Sequence, residues 1–205
     1  MIKNSAFINN TDRYDDWFEK NHVAYLSELK AFEKLGISGK SIEIGVGTGK
    51  FAKPLEIDIG IEPTSQMYKR TEGIDIIEGV AENLPLLNES FDWVIMVTTI
   101  CFVNDHKKAM SEMHRILKQG GKCAIGLVDK DTELGAVYLA KKDKSEFYKE
   151  ATFFSSEDVI DCMTGAGFRN IGAYQTLTSM NITAPEEPYE GYGKGGFAVI
   201  YGEKS

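Results

Sequence analysis

The fold is decided by a stretch of nine residues, Ser41-Ile-Glu-Ile-Gly-Val-Gly-Thr-Gly49. Its first half alternates polar and apolar residues, as a short strand does, and a glycine then stands at every second position. Glycine lets the backbone turn sharply and lets a ligand approach without a Cβ in the way. The stretch therefore predicts a strand, Ser41 to Gly45, that leads into a ligand-binding turn.

After this turn, strand-like and helix-like segments alternate, which predicts a doubly wound α/β sheet with helices on both faces. The segment Phe91–Val97 is nearly all apolar, as a parallel strand buried on both faces should be. The strands expected in this parallel part are residues 41–45, 57–62, 74–79, 91–97 and 122–128.

Helices are expected between these strands and near the start of the chain. An aromatic and apolar stripe at helical spacing predicts one N-terminal helix from Thr11 or Asp12 to Gly36. A brief helix should follow the glycine turn and end near Pro54. A longer one from His106 should be ended by Gly120-Gly121. The other expected helices are residues 64–72 and 155–166.

The C-terminal third departs from the simple alternation. A charged helical segment follows Asp129, and two consecutive strands near 169–177 and 196–201 predict an antiparallel hairpin at the sheet edge. The connection Thr178–Gly195 is long, as functional or disordered loops are, and the glycine-rich segment Tyr189–Gly196 is expected to form a pocket rim. Residues 1–205 are thus expected to form one three-layer, Rossmann-like domain with a mostly parallel sheet. Its parts are an N-terminal lid helix (11–35), a cofactor-binding core (41–128), and substrate-side helices with the edge hairpin (129–205).

Composition narrows the class of partner. The chain has 31 acidic and 23 basic side chains and a net charge of −8, which disfavours nucleic acid and anionic membranes. Met1–Asn10 lacks the pattern of a signal peptide, and the apolar stretch Trp93–Val103 is too short to span a bilayer. Three unclustered cysteines fit a reducing compartment. We therefore expect a cytoplasmic monomer or homodimer without a nucleic-acid or membrane partner and without a bound metal.

The pattern E-x-G-x-G-x-G of Glu43–Gly49 resembles the first motif of class I S-adenosylmethionine-dependent methyltransferases. A dinucleotide fingerprint would place its third glycine where Lys50 stands, so a nicotinamide oxidoreductase is the less favoured alternative. Further segments are similar to the later motifs of the family's type 11 group, in the same order along the chain. These segments are residues 59–63, 79–85, 91–94 and 115–121.

The resemblance implies which residues hold the methyl donor, S-adenosylmethionine. The Glu62 carboxylate would accept hydrogen bonds from both ribose hydroxyls. The Ala81 amide would face an adenine ring nitrogen. Glu82 would accept from the exocyclic amine, because Val80 replaces the aspartate often found there. The full set of expected cofactor-binding residues is Tyr14, Phe18, Glu43, Gly45, Val46, Gly47, Glu62, Pro63, Ala81, Glu82, Asn83, Thr98 and Thr99.

The type 11 resemblance implies in-line methyl transfer to a small molecule, and the negative charge favours an amine as the acceptor. The loop that begins at Thr98 lacks the Asn/Asp-Pro-Pro-Tyr motif of enzymes that methylate DNA bases or glutamine amides. An alternative is a catalytically silent protein that binds S-adenosylmethionine and acts as a sensor or partner. The catalytic residue stays open, and its candidates are Tyr14, His22, Tyr25 and Cys101.

Overall fold

An eight-stranded sheet runs through the centre of the computed structural model, which describes residues 7, 8 and 10–205. The polar start of the chain, expected not to be a signal peptide, lies mostly outside these residues. The strands are β1 (Ser41–Ile44), β2 (Ile59–Ile61), β3 (Asp75–Ile77), β4 (Phe91–Val97), β5 (Leu117–Val128), β6 (Phe168–Thr176), β7 (Tyr189–Glu190) and β8 (Phe197–Lys204).

The strand order is β3-β2-β1-β4-β5-β8-β6-β7. The first five strands in this order are parallel, and β8 is antiparallel to both of its neighbours. The predicted Rossmann-like fold with antiparallel C-terminal strands is therefore confirmed. The short outer strand β7 was not predicted, and it pairs with β6 beyond the expected hairpin.

Helices cover both faces of the sheet. They are α1 (Thr11–Lys20), α2 (His22–Glu33), α3 (Ser65–Tyr68), α4 (His106–Ile116), α5 (Glu133–Lys141) and α6 (Ser156–Gly165), with 3₁₀ turns at Ile100–Phe102 and Lys142–Lys144. None of the helices in the described part of the chain is long and apolar enough to cross a membrane.

The N-terminal helix is divided in two, and the prediction of one continuous helix over 11–35 is wrong. The break is at Asn21, whose backbone has φ −112° and ψ 34°. Its side-chain amide donates to the Trp17 carbonyl at 2.9 Å, as its own backbone N–H does. Asparagine side chains compete with helical hydrogen bonds in this way, and the chain changes direction there.

Two glycine-containing segments also differ from the prediction. Residues 49–56 form turns instead of a regular helix, since Pro54 has no N–H to continue the hydrogen-bond series. Gly120 and Gly121 lie within β5, which begins directly after α4. They occupy an irregularity in the pairing with β4, where a Cβ on Gly121 would lie 2.9 Å from the Lys118 carbonyl oxygen.

The core lies on both faces of β4. Val94 and Met96 pack towards α4 and α6, whereas Ile95 packs with side chains of α2 on the other face. Phe32 of α2 is fully buried and stands over Gly126 of β5, where a Cβ would come within 2.8 Å of its ring. The missing side chain at 126 thus lets α2 lie close to the sheet.

We expect Phe32→Ala to lower the free energy of unfolding by about 3–5 kcal/mol, because it removes buried ring surface and leaves a cavity. Urea denaturation measures this change. Leu87→Ala is the control, since Leu87 is 82% exposed and its loss should change stability by less than about 0.5 kcal/mol. Equal effects of the two substitutions would show that α2 is not held by this contact.

Candidate functional site

A cavity of about 490 Å³ opens at the carboxyl ends of the parallel strands. Ile44 of β1, Ile61 of β2 and Val97 of β4 line it from below. It lies where the strand order reverses between β1 and β4, which is the usual ligand position in open α/β sheets. Its volume falls within the roughly 300–1,000 Å³ range of small-molecule sites.

The glycine turn forms one wall of this cavity. Gly45 and Gly47 have φ values of 77° and 58°, which favour glycine. A Cβ on Gly45 would stand 2.3 Å from a side-chain carbon of Thr99, and one on Gly47 would stand 3.3 Å from the Tyr14 hydroxyl. The turn is therefore held closely between α1 and the loop after β4, with bare backbone beside the cavity.

Glu62 ties this turn to the end of β2. Its carboxylate accepts from the Gly47 amide at 3.0 Å and from the Thr64 amide at 2.9 Å, one bond to each oxygen. The side chain is only 7% exposed. Burial raises its pKa, and the hydrogen bonds from Thr64 and Gly47 oppose that rise. The Thr64 side chain also donates to this carboxylate, which leaves part of its acceptor capacity, about four lone-pair sites in all, to a ligand in the cavity.

Most of the predicted donor residues line the cavity, but three do not. The Glu43 carboxyl is buried beneath the turn, where the Ala52 amide donates to it and burial raises its pKa well above the ordinary value. Val46 packs against Gly60 in the core, and Asn83 is exposed. The predicted residues on the wall are Tyr14, Phe18, Gly45, Gly47, Glu62, Pro63, Ala81, Glu82, Thr98 and Thr99.

Glu82 reaches the cavity with one oxygen already engaged. That oxygen accepts from the backbone N–H of Asn104 at 2.8 Å and, less closely, from that of Asp105 at 3.4 Å. Its carboxylate therefore also fixes the segment before α4. An adenine amine that binds as expected would therefore share the Glu82 carboxylate with these two backbone amides.

Helix α1 lines the cavity with Tyr14, Trp17 and Phe18, and its role as a lid stays a prediction. Its Asp15 accepts from the Thr48 hydroxyl at 2.7 Å and forms ion pairs with Lys50 at 3.3 Å and Arg70 at 3.6 Å. Asp15 thereby fastens α1 to the glycine turn. The neighbouring Tyr14 lies on the cavity wall, and burial raises its pKa.

Of the four catalytic candidates, Tyr14 alone is on the cavity wall. His22 is exposed at the start of α2. The Tyr25 hydroxyl donates to the Lys50 carbonyl at 2.5 Å, and the Cys101 thiol donates to the Thr98 carbonyl at 3.3 Å. The geometry therefore gives His22, Tyr25 and Cys101 no access to a ligand in this cavity.

The glycine-rich connection Thr178–Gly195 does not line the cavity either. Gln175 of β6 accepts from the Gly195 amide at 2.8 Å. A Cβ on Gly195 would come within 2.4 Å of the Thr176 carbonyl oxygen. Gly195 therefore allows two backbone segments to approach each other closely, and it does not make room for a substrate in the cavity.

Aromatic side chains form the opposite wall, which was not predicted. Phe7 and Phe102 meet edge to face at 4.9 Å, Phe102 stacks on Tyr148 at 6.1 Å, and Tyr148 contacts Tyr138 at 5.3 Å. All four rings line the cavity. The sequence signal was weak because they come from separate segments, and Tyr148 stands among charged residues.

Glu28 of α2 also lines the cavity and was missed. It is only 4% exposed, and no hydrogen bond or opposite charge from the described residues counteracts the effect of burial on its carboxyl group. Burial raises its pKa to about 8. A signal was present, because Glu28 follows Tyr25 by three residues and precedes Phe32 by four. It is thus an acid within an apolar stripe.

The chain and its fold are similar to those of a solved structure. A crystal structure from Thermotoga maritima, described as a SAM-dependent methyltransferase and possible histamine N-methyltransferase, is 46% identical and superposes with a TM-score of 0.95. The match covers 98% of both chains. The chain belongs to the class I S-adenosylmethionine-dependent methyltransferases. The profile of a family described as "Methyltransferase domain" matches residues 42–125.

Two further proteins are similar to this chain in sequence. An uncharacterized protein of Methanocaldococcus jannaschii is 42% identical over 203 residues, which are 98% of this chain and 99% of that protein. A demethylmenaquinone methyltransferase of Renibacterium salmoninarum is 32% identical over 120 residues, about half of each chain. In the described part of this methyltransferase, no group of three or more His, Cys, Asp or Glu residues is placed to hold a metal ion.

We expect Asp15→Ala to weaken binding of S-adenosylhomocysteine by about 5- to 30-fold, since it removes a charge-assisted hydrogen bond that holds α1 on the turn. Titration calorimetry measures the dissociation constant. Asp16→Ala is the matched control, because Asp16 faces solvent and pairs only with Lys20 on the same helix. Unchanged affinity in Asp15→Ala would mean that α1 does not secure the donor.

We also expect the stability of the ligand-free protein to depend on Glu28. Between its ordinary pKa near 4.5 and its folded pKa of about 8, only the folded state keeps the proton. Stability therefore falls as pH rises through this window. Urea denaturation at pH 5 and pH 9 should show that wild type loses up to about 5 kcal/mol more than Glu28→Gln. Parallel pH profiles of the two proteins would refute the assignment.

Proposed function

We propose that this methyltransferase transfers a methyl group from S-adenosylmethionine to a small-molecule acceptor in line, with an amine nitrogen as the favoured acceptor. One observation carries the proposal. A single cavity joins the Glu62 and glycine-turn wall to an aromatic wall, so that two different ligands can meet inside it.

The donor would lie against the glycine turn. The ribose hydroxyls would donate to the Glu62 carboxylate, and the adenine would lie beside Ala81. The narrow gap between Gly47 and Tyr14, which a side chain at 47 would fill, fits a ligand that lies flat on the backbone. The donor supplies the methyl group from a sulfonium, whose positive charge is lost on transfer.

Four features support a small acceptor or, more narrowly, an amine. The cavity has to hold both ligands within about 490 Å³, a volume typical of small-molecule sites. An ion pair between Arg13 of α1 and Glu146 links two segments that border the cavity. The Thermotoga maritima relative is described as a possible histamine N-methyltransferase, and the net charge of −8 attracts cations.

The chain's own part in the reaction would be positioning and exclusion of water. In-line transfer needs the acceptor atom about 3–3.5 Å from the methyl carbon. The aromatic wall restricts an acceptor from one side and the glycine turn fixes the donor from the other. Helix α1 covers the cavity and limits access of water, which strengthens the electrostatic interactions inside.

The test is incubation with methyl-labelled S-adenosylmethionine, histamine, other small amines and a metabolite extract, followed by identification of the labelled product. We expect a methylated small molecule. Glu62→Gln should bind S-adenosylhomocysteine at least about tenfold more weakly, because a charged acceptor is lost. Glu72→Gln, at an exposed site, should bind normally.

Two other results would contradict the proposal. If wild type bound neither S-adenosylmethionine nor S-adenosylhomocysteine, the donor assignment would fail. Tight donor binding without transfer to any compound of the panel or extract would favour the catalytically silent sensor instead. Retention of configuration with a chiral methyl group would refute a single in-line transfer.

A further inference from the structure

We propose that Glu28 is the acceptor-binding residue of this cavity, where it pairs with a cationic amine and takes one of its protons before methyl transfer. This inference rests on the proposed methyltransferase function and names the acceptor's chemical class. That class is an organic ammonium ion with an apolar or aromatic body.

Glu28 lies on the side of the cavity that α2 forms. It projects from α2, which packs against β6 and β8 at the far side of the sheet from β2 and β3. Tyr138 of α5 and Tyr148 lie close enough for the carboxylate to act on both hydroxyl groups. Glu28 and the aromatic wall are therefore neighbours within one cavity.

The environment of Glu28 suits a cation and little else. A buried carboxylate without a partner is costly, and an ammonium group would supply the missing opposite charge. Aromatic faces such as those of Tyr138 and Tyr148 attract organic cations. A neutral acceptor would supply no opposite charge to the ionised carboxylate, and an anionic acceptor would be repelled by it.

The tyrosine side chains around Glu28 cannot supply the positive charge that its carboxylate lacks. Burial is the main cause of the raised pKa of Tyr14, Tyr25, Tyr138 and Tyr148, and the Glu28 charge raises each of them further. These four tyrosines therefore stay neutral near pH 7 and cannot neutralise the carboxylate.

The cationic side chains of the cavity border are engaged elsewhere. Arg13 pairs with Glu146, and Lys20 pairs with Asp16 at 3.3 Å. All four of these side chains are more than half exposed, so they lie towards solvent. The deeply buried Glu28 would thus meet an incoming ammonium ion without an internal competitor among the described residues.

In the proposed reaction, Glu28 takes a proton from the amine before the methyl group is transferred. The bound ammonium ion gives one proton to the Glu28 carboxylate, which frees the nitrogen lone pair. The lone pair forms a bond to the methyl carbon as the carbon–sulfur bond breaks, and that bond's electron pair stays on sulfur as a neutral thioether. The methylated product is again an ammonium ion, and the proton on Glu28 leaves to solvent.

Binding of an amine should be linked to the release of a proton. With a pKa of about 8 in the ligand-free site, Glu28 is mostly protonated at pH 7. Pairing with an ammonium ion favours the ionised carboxylate, so the proton leaves as the cation binds. A neutral ligand of the same shape should release none.

The experiment is titration calorimetry at pH 7 on the protein saturated with S-adenosylhomocysteine, in two buffers of different ionisation enthalpy. The probes are histamine and 2-phenylethylamine, with 2-phenylethanol as the neutral counterpart of the second. We expect an amine to bind at least tenfold more tightly than the alcohol and to release close to one proton. Glu28→Gln should remove both the preference and the proton release.

Control measurements separate the outcomes. Glu33→Gln, at an exposed site on the same helix, should behave as wild type. Glu28→Gln should keep its affinity for S-adenosylhomocysteine, which also shows that it folds. For any amine that is methylated, Glu28→Gln should lower kcat/KM by at least tenfold and flatten its pH profile, whereas Glu28→Asp should retain part of the pH dependence.

The proposal would be overturned if no amine bound more tightly than the alcohol, or if Glu28→Gln bound amines and released protons as wild type does. Intact binding of S-adenosylhomocysteine in these cases would leave the methyltransferase assignment standing. Failure of wild type to bind S-adenosylhomocysteine would instead refute the proposed function itself.

Discussion

Two backbone amides, those of Gly47 and Thr64, converge on the carboxylate of Glu62. Hydrogen bonds to a charged acceptor are stronger than neutral ones, and their weight increases where little water reaches them. This arrangement fixes the turn after β1 against the end of β2. The position of α1 depends on it in turn, because Asp15 holds that helix on Thr48 of the same turn.

The parallel half of the fold was predictable because its strands are buried on both faces and are therefore rich in apolar residues, Phe91–Val97 above all. The errors occurred where local hydrogen bonding decided the path. Asn21 breaks the N-terminal helix through its own side chain, and Pro54 prevents a regular helix after the turn. Neither effect changes the periodicity of apolar residues on which the prediction was based.

The wall that includes the glycine turn was largely predictable, since contiguous motifs such as that turn and the segment that ends at Pro63 form it. The aromatic wall was not, because it combines single residues of separate segments such as α5 and the segment around Tyr148. Glu28 is one of 31 acidic residues, and its place within the apolar stripe of α2 was the mark that distinguished it in the sequence. Cys101 was a poor candidate because neighbours in a helical turn point in different directions, so Phe102 faces the cavity instead.

The break at Asn21 has a consequence for how such a scaffold can diversify. It divides the N-terminal region into α1, attached to the glycine turn, and α2, anchored on the sheet by Phe32. Amino-acid substitutions around Glu28 can therefore accumulate on α2 without altering the contacts that Asp15 makes from α1. Descendants of one ancestor can in this way acquire new substrates while the ancient half of the machinery is inherited unaltered.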